Sequence, residues 1–90
     1  MRKLLFLLVF IPLVSFGQTA EEYFQSALNK EDNGDYYGAI ADYTKAIELD
    51  PNYAEAYYNR GLSKHNLKDD KEAISDYTKA IELNPNLADA

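Results

Sequence analysis

The chain contains nearly the same eleven-residue stretch twice: residues 42–52 read DYTKAIELDPN, and residues 76–86 read DYTKAIELNPN. The two copies are 34 residues apart, and residues 20–53 laid on residues 54–87 without a gap give 18 identical positions out of 34. A repeat of this length is typical of a solenoid built from helical hairpins. The sequence therefore predicts an all-α helical-hairpin solenoid with repeats at 18–53 and 54–87 and the start of a further repeat at 88–90.

Start and stop signals divide the first repeat into two helices. Thr19 and Glu22 form a capping-box pattern, which predicts that the first helix begins at the residue after Thr19. Gly34 can adopt the left-handed conformation that ends a helix. Asp35 then predicts the N-cap of the second helix, and Pro51 predicts its end.

The second repeat carries similar signals. Asn52 with Glu55, and Asp69 with Glu72, repeat the capping pattern and predict the starts of two more helices. The predicted helices are residues 53–67 and residues 70–83.

Six marker positions recur in both repeats. They are Tyr23, Ala27, Ala39, Tyr43, Ala46 and Pro51, then Tyr57, Gly61, Ala73, Tyr77, Ala80 and Pro85. This order of aromatic, small residue, alanine, aromatic, alanine and closing proline resembles the tetratricopeptide repeat family. The resemblance implies an antiparallel helix pair in each repeat, with these residues as the repeat core. The chain departs from the family at Ser26 and Arg60, which replace a leucine, and at Lys30 and Lys64, which replace a tyrosine.

The first 17 residues have the pattern of a secretory signal peptide. Two basic residues precede an uncharged apolar run at 4–14, and Ser15 and Gly17 are small residues at the positions that a signal peptidase reads. The alternatives are a membrane anchor and a buried helix, but a bilayer-spanning helix needs about 20 apolar residues. We expect cleavage after Gly17 and a secreted or periplasmic chain that begins at Gln18.

Composition limits the partners. The formal net charge is −6, and this negative charge disfavours nucleic acid and anionic lipid as partners. The sequence has no cysteine, so an exported form must be stabilised by packing without disulfides. We expect no stable membrane insertion once the signal peptide is removed.

No residue pattern predicts catalysis, a metal site or a cofactor. A catalytic site needs a nucleophile beside a base, paired acids or metal ligands at a workable spacing, and the sequence shows none of these. His65, the single histidine, is predicted to lie solvated on a helix face without a partner. The acidic residues before Gly34 resemble a calcium loop, but the bidentate glutamate of that loop would fall on Ile40. The sequence therefore predicts a protein that is not an enzyme.

The resemblance also implies a concave groove, lined by the first helix of each repeat, that binds peptides or other proteins. The lining positions are Glu21, Phe24, Leu28, Glu31, Asp32, Glu55, Tyr58, Leu62, His65 and Asn66. Apolar residues among acidic ones predict a peptide with basic residues around an apolar anchor. The alternative is a helix face that is only solvated.

Two contacts between units are predicted as well. Arg60 replaces a leucine and needs a partner, and we expect it to form an ion pair with Asp42 across the junction of the repeats. The last predicted helix carries apolar residues that would pack on a neighbouring helix, namely Ile74, Tyr77 and Ile81. They predict marginal stability or self-association of the two-repeat unit.

Three classes of function are compatible with exported repeats. The first is an interaction module, a scaffold or adaptor that binds a protein and has no chemistry of its own. The second is the recruiting or sensing end of a longer exported enzyme, receptor or transport component, because residues 86–90 parallel the start of the second repeat. The third, catalysis by the chain itself, is disfavoured by the lack of an active-site pattern.

Overall fold

The computed structural model describes residues 17–89, which form two antiparallel helical hairpins. The elements are α1 (Ala20–Asp32), α2 (Tyr36–Leu49), α3 (Ala54–Asn66), α4 (Asp70–Leu83) and a 3₁₀-helix (Pro85–Asp89). Helix α1 packs on α2, α3 packs on α4, and α2 packs on α3 where the hairpins meet. The all-α helical-hairpin prediction is confirmed, and the predicted signal peptide lies almost wholly outside the described residues. None of the described helices is both long and apolar enough to cross a membrane.

The helix starts of the first hairpin are capped as predicted. The Thr19 hydroxyl accepts a hydrogen bond from the Glu22 N–H at 3.1 Å, and the Glu22 carboxylate accepts one from the Thr19 N–H at 2.9 Å. The Asp35 carboxylate accepts from the Gly38 N–H at 2.9 Å. Each bond satisfies a backbone donor that the first turn of a helix leaves free.

The second hairpin lacks the predicted capping hydrogen bonds, although Asp69 is the N-cap of α4 as predicted. The N-caps of α3 and α4 are Tyr53 and Asp69, and neither side chain makes a capping hydrogen bond. Asn52 cannot cap α3 because it lies in the preceding turn, where its N–H donates to the Asp50 carboxylate at 3.1 Å. The structure offers no physical reason for the missing bond at Asp69.

Helices α1 and α3 are each followed, two residues after their last residue, by a residue in the left-handed conformation, which is a glycine only after α1. Gly34 has φ of +82°, and Lys68, its equivalent in the second repeat, has φ of +71°. In each case the next N–H returns to the last turn, from Asp35 to the Lys30 carbonyl and from Asp69 to the Lys64 carbonyl, both at 2.8 Å. The same cap therefore joins the helices of both hairpins, at a cost of about 1 kcal/mol for the lysine.

Small side chains form most of the core. The fully buried alanines are Ala27, Ala39, Ala46, Ala56, Ala73 and Ala80. Gly61 shows why small residues are needed: a Cβ there would lie 2.8 Å from the Tyr77 ring and 3.2 Å from the Ala73 carbonyl oxygen. Small residues at these positions therefore let the paired helices approach closely.

The predicted repeat core is buried to different degrees. Tyr43 is fully buried, whereas Tyr23, Tyr57 and Tyr77 are half-buried. Pro51 and Pro85 are exposed, which corrects their assignment to the core. The prolines follow the ends of α2 and α4, where they stop the helix without packing inside it.

Ser63 is fully buried, and its hydroxyl has no hydrogen-bond partner among the described residues. We expect Ser63→Ala to raise the free energy of unfolding, since an unpaired buried polar group costs about 1–3 kcal/mol. Ser75→Ala is the matched control, because Ser75 is an exposed α4 residue and gains only about 0.5 kcal/mol of helix propensity. Urea denaturation of both variants decides the point. A smaller gain at Ser63 than at Ser75 would mean that the Ser63 hydroxyl is satisfied.

Candidate functional site

The predicted groove residues lie on α1 and α3, the first helices of the two hairpins. Exposed residues are Glu21, Asp32, Glu55, Tyr58, His65 and Asn66, and half-buried residues are Phe24, Leu28, Glu31 and Leu62. Most of the apolar side chains in this set are therefore half-buried, while most of the charged side chains are exposed to solvent. This surface, the groove surface below, has an apolar floor and an acidic rim.

Aromatic rings form the floor of the groove surface. Phe24 stacks on Tyr53 with ring centroids 4.9 Å apart, and it packs against Tyr43 at 5.7 Å in a tilted arrangement. In the second hairpin Tyr58 packs against Tyr77 at 5.5 Å. Tyr58 remains 39% exposed, so a face of its ring can still contact a partner. Tyr53 is not among the groove residues predicted from the sequence, because it lies in the turn before α3 rather than on a first helix.

Glu31 belongs to the fold as well as to the rim. Its carboxylate accepts a hydrogen bond from the buried Tyr43 hydroxyl at 2.5 Å, which links α1 to α2. Burial and then this bond raise the pKa of the Tyr43 hydroxyl well above its usual range. Glu31 is therefore committed to the hairpin, and the carboxylates left to meet a partner are those of Glu21, Asp32 and Glu55.

The raised pKa of Tyr43 predicts a loss of stability in alkali. The unfolded chain releases the tyrosine proton near pH 10, while the folded chain still holds it, so the free energy of unfolding falls as the pH rises above about 10. The slope for Tyr43 alone reaches about 1.4 kcal/mol per pH unit. Burial also raises the pKa of Tyr53 and of Tyr77, which adds to the slope.

Urea denaturation from about pH 8 to pH 11 measures this slope. We expect Tyr43→Phe to lower stability at pH 8, because the Glu31 bond is lost, and to flatten the decline above pH 10. Tyr37→Phe is the control, since Tyr37 is 76% exposed. An equal flattening in both variants would contradict the role of burial.

The acidic rim is concentrated around Tyr53. Burial is the main cause that raises the pKa of its hydroxyl, and the nearby charges of Glu21, Glu55 and Asp50 raise it further. These carboxylates come from α1, from α3 and from the turn between the hairpins. The fold thus brings negative charge from three elements to one aromatic residue.

The far end of the groove surface differs from the prediction. His65 is exposed, but its Nδ1 lies 2.8 Å from an Asp70 carboxylate oxygen, so it has the partner that the sequence analysis did not find. Asn66 donates to the Leu62 carbonyl at 2.9 Å. Asp70 opens α4, so the His65 contact links the two helices of the second hairpin, as the Glu31 contact links those of the first.

The predicted ion pair between Arg60 and Asp42 is wrong. Arg60 donates two hydrogen bonds of 2.8 Å to the Asp76 carboxylate, and these bonds are the main cause that raises its pKa. Its remaining nitrogen donates to the Thr44 hydroxyl on α2 at 3.0 Å. The guanidinium thus pairs within its own hairpin and also bridges to the first one.

Both hairpins hold a carboxylate at this place. Asp42 accepts from the Ser26 hydroxyl at 2.6 Å and contacts the Lys30 ammonium at 3.0 Å. Asp76, its equivalent, accepts from Arg60 and contacts the Lys64 ammonium at 3.0 Å. The four departures from the repeat pattern are Ser26, Lys30, Arg60 and Lys64. The first two contact Asp42 and the last two contact Asp76. All four departures therefore have the same explanation, which is that they provide polar partners for an aspartate between paired helices.

The part of the chain that the structure describes has neither a metal-binding cluster nor an enclosed pocket. It contains no group of three or more histidine, cysteine, aspartate or glutamate residues that could hold a metal ion. It also encloses no pocket for a small ligand. What the arrangement provides is an open surface with exposed aromatic and acidic side chains.

Two family models match this pair of hairpins. One, described as TPR repeat, matches residues 32–68, and the other, described as Tetratricopeptide repeat, matches residues 54–87. The chain carries tetratricopeptide repeats. Such repeats present extended concave surfaces that bind other proteins, so the chain is a protein-interaction module.

Two solved structures share the fold of this chain. "Crystal structure of MamA" is 28% identical, has a TM-score of 0.71 and covers 79% of this chain. "Crystal structure of MamA protein" is also 28% identical, has a TM-score of 0.69 and covers 78% of it. This chain spans only 42% and 38% of their lengths. No curated protein matches its sequence.

Proposed function

We propose that the chain is an exported scaffold or adaptor whose groove surface binds a peptide with basic residues around an apolar anchor. The observation that carries the proposal is the partly exposed ring of Tyr58 on the same surface as the exposed carboxylates of Glu21, Asp32 and Glu55. Tyr58 is the groove residue among the exposed large hydrophobic side chains. Aromatic residues of this kind dominate binding energy at protein interfaces.

The charge around the groove supports a basic partner. Glu21 and Glu55 are exposed, and both act on Tyr53, so they lie at one end of the groove surface. Complementary charge speeds the encounter of two partners and fixes their register. The apolar anchor would contact the rings of Phe24 and Tyr58, while basic residues on either side meet the carboxylates.

A peptide array tests the proposal, with residues 17–90 as the probed protein, because these residues include the whole described core. Enriched binders should combine lysine or arginine with one large apolar residue. Tyr58→Ala should weaken binding of a selected peptide about tenfold, mainly by faster release, because an aromatic ring that contacts the peptide is lost. Tyr37→Ala is the matched control, an exposed tyrosine on α2. Enrichment of acidic C-terminal sequences, or equal losses in the two variants, would overturn the proposal.

The acidic rim has its own measurement. Glu21→Lys with Glu55→Lys should slow association of the selected peptide and reduce its salt dependence, since exposed charges act by steering. Glu48→Lys is the control, because Glu48 is an exposed α2 residue whose pair with Lys45 is weak. A double variant that changes only the release rate would contradict the steering role.

Export is the part of the proposal that rests on the sequence. The apolar run at 4–14 and the small residues Ser15 and Gly17 suit a signal peptidase. The intact mass of the protein recovered outside the cytoplasm should correspond to a chain that begins at Gln18. Recovery of a species that still begins at Met1 in the membrane fraction would overturn it.

A further inference from the structure

One face of α4 is apolar and exposed. Ile74 is 62% exposed and Ile81 is 42% exposed, with Thr78 between them. We call these three residues the α4 face. Their equivalents in the first hairpin are Ile40, Thr44 and Ile47, which are half-buried where α3 packs on α2. The α4 face therefore repeats a surface that already forms an interface inside this molecule.

A second copy cannot cover the α4 face with its own α1. At the interface between the hairpins, α3 contributes Ala56, which is fully buried. The equivalent residue of α1 is Glu22, whose carboxylate caps the helix. Head-to-tail stacking would bury this carboxylate where the existing interface buries a methyl group, at a cost of several kcal/mol. This excludes an open chain of identical copies.

A second copy can cover the α4 face with its own α4 face. Lys71 and Glu82 are exposed, and neither forms an ion pair among the described residues. They are eleven residues apart, about three helical turns, so they lie at opposite ends of one side of the α4 face. In an antiparallel two-fold pair of α4 helices each Lys71 meets the Glu82 of the other copy on one side of the contact, whereas a parallel two-fold pair would place the two rows on opposite sides and leave these charges unpaired.

We propose that the chain forms a two-fold symmetric dimer in which two α4 helices pack antiparallel through the α4 face. Ile74 of one copy packs beside Ile81 of the other, and the two Lys71–Glu82 pairs fix the direction and register. A two-fold arrangement is the commonest one for identical subunits, and it is closed, so association stops at two copies. It leaves the groove surface on α1 and α3 free.

The dimer should be weak. A contact between single helices is smaller than the roughly 1,200–2,000 Å² of standard stable interfaces. The protein also carries a net negative charge, and the repulsion between copies opposes association. We therefore expect a dissociation constant above about 1 μM and a dimer that strengthens when salt screens the net charge.

Sedimentation equilibrium of residues 17–90, from about 10 μM to 1 mM, tests the dimer. We expect Ile74→Glu to give a monomer at every concentration with an unchanged helical circular dichroism spectrum, because Ile74 is mostly exposed. Lys71→Glu and Glu82→Lys should each weaken the dimer about tenfold, since two attractive pairs become repulsive. The double variant Lys71→Glu with Glu82→Lys should restore it.

A charge reversal away from α4 is the matched control for these variants. Lys45→Glu changes the net charge as Lys71→Glu does, but Lys45 is an exposed residue of α2 in the first hairpin and should leave the dimer intact. A chain that stays monomeric at about 1 mM would overturn the proposal. A double charge swap as weak as the single variants would also overturn it, because the helices would then not be antiparallel.

Discussion

Asp76→Ala is expected to lower the free energy of unfolding by about 3–5 kcal/mol, the usual cost of breaking a buried ion pair. The Asp76 side chain is 6% exposed, and it is the carboxylate that pairs with both Arg60 and Lys64, whose side chains are 16% and 15% exposed. Its removal leaves Arg60 without its carboxylate partner and leaves Lys64 with only the longer contact to Glu72, at 3.8 Å. Two small hairpins have little stability to lose, so we expect the variant to be largely unfolded at 37 °C. Thermal denaturation followed by circular dichroism measures the loss.

Asp42→Ala is the matched control in the first hairpin. Asp42 occupies the equivalent position, but its Lys30 partner is 42% exposed and can turn to solvent. We expect a loss of only about 1 kcal/mol there. In the Asp76→Ala background, Arg60→Leu should recover part of the stability, because an apolar side chain no longer needs a charged partner. Equal losses at Asp42 and Asp76, or no recovery with Arg60→Leu, would contradict burial of the ion pair as the cause.

A longer array is expected to be far more stable. When a second copy of residues 54–87 is placed after Leu87, its first helix can pack on the α4 face as α3 packs on α2. Its arginine can also reach Thr78, as Arg60 reaches Thr44 in the existing interface. Neighbour interfaces add to the stability of a repeat array, and three repeats are the usual minimum for a stable one. We expect the melting temperature to rise by more than about 10 °C.

The control for the longer array alters one residue. Ala56→Glu in the added copy places a carboxylate where the existing interface buries a methyl group, as Glu22 would in head-to-tail stacking. We expect this change to remove most of the gain in melting temperature. The longer array should also be monomeric, because its added helices cover the α4 face. If the gain in melting temperature persists in the Ala56→Glu variant, the added hairpin does not pack on α4 as α3 packs on α2.

The fold could be predicted because its information is local and appears twice. Thr19 and Asp35 mark helix starts within one turn of their partners, and the spacing of 34 residues carries the same assignment into the second repeat. The repeat was misleading where the two copies differ. Asn52 precedes α3 by two residues and cannot reach its first turn. The Asn52–Glu55 pattern therefore forms no capping hydrogen bond.

The contacts between side chains could be predicted less well. Asp42 and Asp76 are equivalent residues, so the sequence offers Arg60 the same carboxylate in its own hairpin and in the neighbouring one. Geometry decides for Asp76, because α3 and α4 are paired along their length. The His65 contact to Asp70 was missed for a related reason, since it depends on how the turn between these helices folds.

The groove surface stays a prediction in its details. Its resemblance-based positions do lie on α1 and α3, but the structure adds Tyr53 and assigns Glu31 to the link with Tyr43. Tyr53 could not be identified from helix periodicity because it lies in a turn. The role of Glu31 could not be identified from charge alone, because it depends on which of several carboxylates the buried Tyr43 hydroxyl contacts.

The short separation of the contacts along the chain has a consequence for how quickly the protein reaches its structure. The hydrogen bond from Tyr43 to Glu31 closes a loop of 12 residues, and those from Arg60 to Asp76 and to Thr44 close loops of 16 residues. Chains dominated by such local contacts have low contact order and fold in microseconds to milliseconds. Either hairpin can form first and then serve as a surface on which the other assembles, so a newly made chain spends little time with its apolar residues exposed.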